Sequence, residues 1–255
     1  MVQSAARPRS DASSSTSMRR DGLMDNRRIR IVLGRSPHTG SMPGELLDRL
    51  ARLGRVEQYG DGELIYAAWR PMHRFWMILS GGLRVSVLSS DGSARTIAVL
   101  GEGSYYAVGA LAKDGISAKS EVHSLGDTRL AVFDVLQLEL EFSSDKGFEQ
   151  CRRLLIYQRV WAIADLYGDL LDAPLQRRLA RRLLGQALSA GRDPDIELWV
   201  TQTDLAAMLG ASRSRVNTEL RRLEANGAIR LGYRKIVVQS LALLRDAAGA
   251  DVVPI

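Results

Sequence analysis

The sequence predicts an α+β protein in which a strand-rich N-terminal half is joined by one long helix to a smaller, mainly helical C-terminal domain. Three observations predict it. Between Tyr59 and about Val135 apolar residues recur with period two, as in Phe75, Met77, Leu79 and again in Leu83, Val85, Val87, which is the repeat of a half-buried strand. From Phe142 to Leu171 there is no proline, and Leu154, Tyr157, Trp161, Ala164, Gly168 and Leu171 fall at alternating spacings of three and four, the seam of a two-stranded helical coil. Beyond Asp172 and Pro174, Leu175, Leu179, Leu183, Leu184 and Leu188 resume helical spacing, so a separate helix opens a second domain.

In chain order, residues 1–28 contain Ser13-Ser14-Ser15-Thr16-Ser17 and little to bury, and are expected to form a disordered leader. Residues 29–141 form the strand domain. It begins with a short helix in which Pro43 precedes Leu46, Leu47, Leu50 and Leu53, proline being well placed at a helix start. Turn formers then punctuate the strands at Gly60-Asp61-Gly62, Gly81-Gly82, Ser90-Asp91-Gly92, Gly101-Glu102-Gly103 and Gly126-Asp127. Short strands divided in this way describe an antiparallel roll or barrel. Residues 142–171 form the long helix, whose stripe of Leu154, Tyr157, Trp161 and Ala164 is expected to pair with a second copy; packing on its own domain is the competing reading. Residues 172–248 form the second domain, with a turn at Gly191 to Pro194 and a strand through Ile196, Leu198 and Val200.

Composition narrows the function classes. At 255 residues with 45% hydrophobic and 25% charged residues the chain matches soluble globular proteins. No apolar run approaches the roughly 18 to 20 residues that span a bilayer, so no membrane partner is expected. Cys151 is the single cysteine, which excludes an internal disulfide framework, a cysteine-rich metal site and a four-cysteine iron–sulfur centre. The N-terminus lacks the charged-then-apolar layout of a secretory signal, and the chain reads as cytoplasmic. Its charge of +6 is uneven: residues 1–35 carry +5, residues 172–255 carry +4 and the middle carries −3. A polyanion-binding face in the folded part therefore belongs near the C-terminus. His38, His73 and His123 are far apart, without the His-x-His and Glu cluster of a metal-dependent barrel enzyme, and no catalytic triad or phosphate loop is evident. Neither an enzyme nor a metal site is expected.

The run from Thr201 to Glu224 carries most of the functional information. Thr201 can cap a helix with Asp204 at its third position, while Leu205, Met208 and Leu209 face inward. Gly210 permits a left-handed turn, and Ser212 can cap the next helix. Val216, Leu220 and Leu223 give that helix a buried face, leaving Arg213, Ser214, Asn217 and Arg221 outward, a polar basic surface suited to a DNA major groove. Gly227 to Val238 then reads as a hairpin with Arg234 and Lys235 at its tip. Helix, turn, helix and hairpin in this order make a winged helix-turn-helix.

Ala211-Ser212-Arg213, the following apolar helix, Leu223-Glu224 with Gly227, and the strand-turn-strand together resemble the winged helix of the cyclic-AMP receptor and fumarate-nitrate-reduction (Crp/Fnr) family of bacterial transcription regulators. Upstream, Gly62-Glu63-Leu64-Ile65, Ile78-Leu79-Ser80-Gly81, Gly92 and Gly103 resemble that family's β-roll in order and spacing. The resemblance runs from about Leu46 to Gln239. It implies a cyclic-nucleotide-binding-like β-roll (jelly roll) sensor, a dimerisation helix, and a homodimer binding double-stranded DNA, with RNA polymerase as a further partner. It further implies that Arg213 pairs with guanine, whose O6 and N7 accept two hydrogen bonds from a guanidinium. Ser214, Asn217 and Thr218 would then face bases, while Gln202, Ser212, Arg215, Arg234 and Lys235 meet the backbone. Where the best-known family member uses a Glu and a second Arg on bases, this chain has Ser214 and Thr218, so its operator should differ.

Members that bind cyclic AMP carry a Gly-Glu pair and, about ten residues later, an Arg-Ser pair that hold ribose and cyclic phosphate. Here these positions fall near Ala107-Val108 and Ala118-Lys119. Val108 accepts no hydrogen bond, and Lys119 does not reproduce an arginine fork. Cyclic AMP bound in the family's manner is therefore not expected. Tyr105, Tyr106, Lys119, Ser120 and His123 are the candidate lining of a pocket for another cyclic nucleotide or a cyclic dinucleotide. A ligand-independent regulator is the alternative, with no cofactor assigned. Haem through His73 or His123, and oxidant sensing or an intersubunit disulfide at Cys151, are weaker readings.

Overall fold

The computed structural model describes residues 12–88, 93–111, 116–190, 195–249 and 252. The turns expected at Ser90-Asp91-Gly92 and at Gly191 to Pro194 lie outside the described residues. Two helices precede the sheet: α1 (Ala12–Arg35) and α2 (Gly44–Leu53). The strands are β1 (Arg55–Tyr59), β2 (Leu64–Tyr66), β3 (Pro71–Met72), β4 (Arg74–Leu88), β5 (Ala94–Leu100), β6 (Tyr105–Tyr106), β7 (Ile116–Ser117) and β8 (Ser120–Asp134), with a 3-10 turn at Val108–Leu111.

The long strands β4 and β8 pair antiparallel from Arg74 opposite Asp134 to Val87 opposite Ser120, with register shifts around Ser80. β1 and β2 add to β8, β5 and β6 add to β4, and β3 with β7 forms a separate ribbon. Period two decides which core each residue enters. Trp76, Ile78, Leu130 and Val132 turn into the roll with Tyr66, Leu83, Val85 and Val122. Phe75, Met77, Leu79, Ala131 and Phe133 turn the other way, against α1, α2 and the start of the long helix.

The leader expected over residues 1–28 is corrected from Ala12 onward, where α1 is helical. The last turns of α1 bury Ile29, Val32 and Leu33 in the second of these cores. Once those turns are anchored, extending a helix upstream needs no further nucleation.

The long helix is also shifted. α3 (Val135–Phe142) ends where it was expected to start, and α4 runs from Lys146 to Asp172. Asp145 sets the new start, its carboxylate accepting from the backbone N–H of Gly147 at 2.9 Å and of Phe148 at 3.0 Å. α4 buries Phe148, Cys151 and Leu155. Leu154, Tyr157, Trp161, Ala164, Gly168 and Leu171 are all exposed, as are Val160, Ile163 and Tyr167.

The C-terminal unit comprises α5 (Leu175–Ala190), β9 (Ile196–Trp199), α6 (Gln202–Leu209), α7 (Arg213–Ala225), β10 (Ile229–Gly232), β11 (Lys235–Val238) and α8 (Leu241–Ala248). The last of these was not foreseen in the sequence. Leu179, Leu183, Leu205, Leu209, Val216 and Leu220 form its core. No helix among the described residues is long and apolar enough to cross a membrane.

Candidate DNA interface and its ties to the strand domain

Two caps fix the helix-turn-helix. Thr201 Oγ1 accepts from Asp204 N at 3.1 Å while Asp204 Oδ2 accepts from Thr201 N at 3.3 Å, a reciprocal box that satisfies two otherwise orphaned donors at the start of α6. Gly210 ends α6 at φ 59°, in the left-handed region that glycine enters without steric cost. Ser212 Oγ then accepts from Arg215 N at 3.3 Å and starts α7. Val216, Leu220 and Leu223 pin α7 to the core, and Arg213, Ser214, Arg215, Thr218, Arg221 and Arg222 face solvent.

The outward groups divide by how they are held. Gln202 Nε2 donates to Asn217 Oδ1 at 3.0 Å, and Thr218 Oγ1 donates back to Ser214 O at 3.1 Å. Arg221 and Arg222 pair with Glu224 and Glu219 on their own helix. Arg213 and Arg215 make no ion pair among the described residues. Arg213 instead lines a groove of about 370 Å³ with Gln202, Tyr233, Arg234 and Lys235, between α7 and the β10–β11 hairpin. Glu224 braces that hairpin by accepting from Leu231 N at 2.8 Å, which together with Arg221 holds its carboxyl below the usual range. At the hairpin tip Tyr233 is 89% exposed and Arg234 sits at φ 57°, a region non-glycine residues seldom occupy. Tyr233 was missed in the sequence, although an aromatic between Gly232 and Arg234 has no core within reach.

The five candidate pocket residues are not brought together. Tyr106 Oη lies 2.8 Å from Ser120 Oγ inside the roll, with the Tyr106 ring 5.9 Å from that of Trp76. Tyr105, one residue earlier, turns to the opposite core, where its hydroxyl donates to Leu155 O of α4 at 3.1 Å. Lys119 is exposed and stands over the Trp69 ring at 5.4 Å. His123 is a β8 residue between Leu64 of β2 and Arg84 of β4. A pocket built from all five is therefore corrected to the Tyr106–Ser120 pair, because strand alternation sends neighbours to opposite faces.

Two family models match the chain. The cyclic nucleotide-binding domain covers residues 56–144 and the Crp-like helix-turn-helix domain covers residues 177–247. The chain belongs to the Crp/Fnr family of bacterial transcription regulators. It is 28% identical over 198 residues to the cyclic AMP receptor protein of Thermus thermophilus, covering 74% of this chain and 86% of that protein. Its fold matches FixK2 from Bradyrhizobium japonicum with a TM-score of 0.64 at 19% identity, over 78% of this chain and 99% of that one. It also matches the c-di-GMP responsive global regulator CLP from Xanthomonas campestris with a TM-score of 0.55 at 16% identity, over 78% of this chain and all of that one. The chain is thus a Crp-like regulator with a DNA-binding helix-turn-helix and a cyclic nucleotide-binding domain.

In this Crp/Fnr chain the helix-turn-helix unit is fastened to the cyclic nucleotide-binding domain by contacts that sequence spacing does not show. Arg84 of β4 donates through Nε to Asp204 Oδ1 at 2.7 Å, joined by Thr96 Oγ1 at 3.3 Å, so one carboxylate both caps α6 and anchors it to the roll. Arg234 of the hairpin pairs with Asp61 in the β1–β2 turn. Asp61 is held below the usual carboxylate range first by the Gly126 N–H and then by Arg234. Gly103, at φ 77°, lies so close to α5 that a Cβ there would stand 1.8 Å from Ser189 O. His38, only 2% exposed, joins three parts of the chain: Nδ1 is 3.1 Å from Gln158 Oε1 of α4, Nε2 is 3.4 Å from Ser189 Oγ of α5, and its ring meets that of Tyr105 edge-on. Before folding, the only sign of this is a histidine among small residues.

Proposed function

We propose that this chain acts as a homodimer that reads a dyad-symmetric operator through α7, with Arg213 making the specifying contact to guanine. The supporting observation is Arg213, exposed and without an ion pair among the described residues, on a helix whose other face is fixed by Val216, Leu220 and Leu223. Ser214, Asn217 and Thr218 complete the base-facing set. Gln202, Ser212, Arg215, Arg234 and Lys235 hold the sugar-phosphate backbone around the groove beside α7. Pairing along the exposed stripe of α4 sets two α7 helices against successive major grooves about 34 Å apart. The protein works in the cytoplasm, with RNA polymerase as its protein partner.

The sensor's effector in this reading is a cyclic nucleotide other than cyclic AMP or a cyclic dinucleotide. Counted from Gly103, the positions of the family's ribose and phosphate ligands fall near Ala107-Val108 and Ala118-Lys119, neither of which keeps the family's residues, and a protein of the same fold is named as c-di-GMP responsive. A second reading, regulation without a ligand, is favoured by one observation: Tyr66, Trp76 and Tyr106 pack together inside the roll. Selection of bound duplexes from a random-sequence pool tests the function, repeated with cyclic AMP, cyclic GMP and cyclic di-GMP. A dyad-symmetric site should be enriched, and Arg213→Ala should weaken discrimination at one base pair of each half-site by about 1–3 kcal/mol. A nucleotide that changes affinity for that site establishes the sensor; unchanged affinity with all three supports the ligand-free reading. No enrichment under any condition contradicts sequence-specific reading.

A further inference from the structure

The joint between α4 and α5 holds more positive charge than it pairs. Arg178, Arg181 and Arg182 of α5 and Asp165 and Asp169 of α4 line one small cavity, of about 20 Å³ and partly open to solvent. One arginine takes both carboxylates: Arg181 Nε donates to Asp169 at 2.6 Å, and its Nη2 donates to the two oxygens of Asp165 at 2.8 and 2.7 Å. Arg182 is 8% exposed, and neither its Nε nor its Nη2 has an acceptor among the described residues. Arg178 gives Nη1 to Leu209 O at 2.8 Å, while its buried Nε has no acceptor among the described residues.

Native proteins seldom leave buried donors unmatched, and a water or an ion is the usual explanation. The Nε–Nη2 edge that is empty in Arg182 is the fork that takes an oxyanion through two parallel hydrogen bonds. Three arginines face two aspartates among the described lining residues, and Arg182 feels the charges of Asp169 and Asp165 and, after them, that of Arg159. That excess suits phosphate, whose charge is about −1.5 to −2 near neutral pH. A space of about 20 Å³ admits roughly one oxygen, so the remainder of the anion would occupy the opening.

We propose that this joint is a phosphate-binding site, with Arg182 as the bidentate anchor and Arg178 as a second donor, taking phosphate either free or carried by a nucleotide. Bound there, the anion bridges the end of α4 and the start of the DNA-binding unit across Asp172 to Pro174. Its consequence for operator affinity rests on the regulator reading, but the binding itself does not.

The test is thermal unfolding of the full-length protein in inorganic phosphate, against potassium chloride at matched ionic strength, and separately in AMP and GMP. The expected result is a saturable rise in Tm whose apparent affinity falls by roughly tenfold or more in Arg182→Met and in Arg178→Gln, and is unchanged in Arg52→Met, a surface control on α2. A rise with inorganic phosphate identifies the free anion as sufficient, and a rise with the mononucleotides alone identifies a nucleotide-borne phosphate. No saturable rise, or the same rise in both cavity variants, means that water alone solvates Arg182 and overturns the proposal. If Arg182→Met does not fold, Arg178→Gln decides. Failure to select DNA would count against the regulator reading and leave this result standing.

Discussion

Single side chains in this protein are set by the groups around them more than by their own chemistry. Cys151 is buried on α4, and that burial, followed by the nearby charge of Asp145, pushes its thiol up to about 11. At pH 8 it is a neutral thiol, so alkylation by iodoacetamide should be roughly two orders of magnitude slower than for an exposed cysteine, and rise to the ordinary rate in denaturant. Rapid labelling of the native protein would reopen oxidant sensing at this position. Asp145 shows the opposite balance. The Phe148 N–H and then Arg49 hold its carboxyl below the usual range, so its contribution is present above the unfolded-state pKa and is lost as pH falls through the lower folded value. Asp145→Ala should cost about 1 kcal/mol as a lost helix cap, read by denaturant unfolding at pH 7, with the difference shrinking in acid.

At the level of elements, the sequence was legible wherever a period or a cap is local. The strand repeat, the break at Pro174, the box at Thr201 and Asp204, and the turn at Gly210 all lie within a few residues of their cause. Partners far apart in the chain were not legible. Nothing in Asp204 announces that Arg84, 120 residues away, shares its carboxylate, and neither Asp61 nor Arg234 signals the other. The candidate pocket failed for a related reason, since Tyr105 and Tyr106 are neighbours in sequence but occupy opposite faces of a strand. The start of α4 was misplaced because hydrophobic spacing runs through Ser143 to Asp145, whereas the cap that restarts the helix is polar. The contact of Gly103 with Ser189 gives this level its sharpest test. Gly103→Ala combines a left-handed backbone with a direct clash, and should cost about 2 kcal/mol or more. Because that contact holds α5 to the roll, the loss should show as separate unfolding of the two units in calorimetry; one unchanged transition would mean the contact is incidental.

For the molecule as a whole, one chain leaves a stripe of large apolar side chains on α4 in contact with water. Tyr157 and Trp161 are 63% and 65% exposed, in line with Leu154, Ala164 and Leu171, the kind of apolar stripe that the proposed dimer would cover. Trp161→Glu places a charge in the proposed seam and should convert the dimer to a monomer in light scattering at micromolar concentration, with the far-ultraviolet dichroism of the fold retained. An unchanged mass would remove α4 as the dimer surface. In the proposed dimer α7 would read bases while the hairpin would hold phosphates, and that division of labour is the principal claim. The measurement that tests it is fluorescence anisotropy on the selected duplex and on a scrambled one, for Arg213→Ala and Arg234→Ala over a range of salt. Arg213→Ala should lose affinity mainly for the selected duplex, whereas Arg234→Ala should weaken both alike and lower the salt slope by about 1. Equal losses on both duplexes for Arg213→Ala would contradict the assignment of base reading to α7.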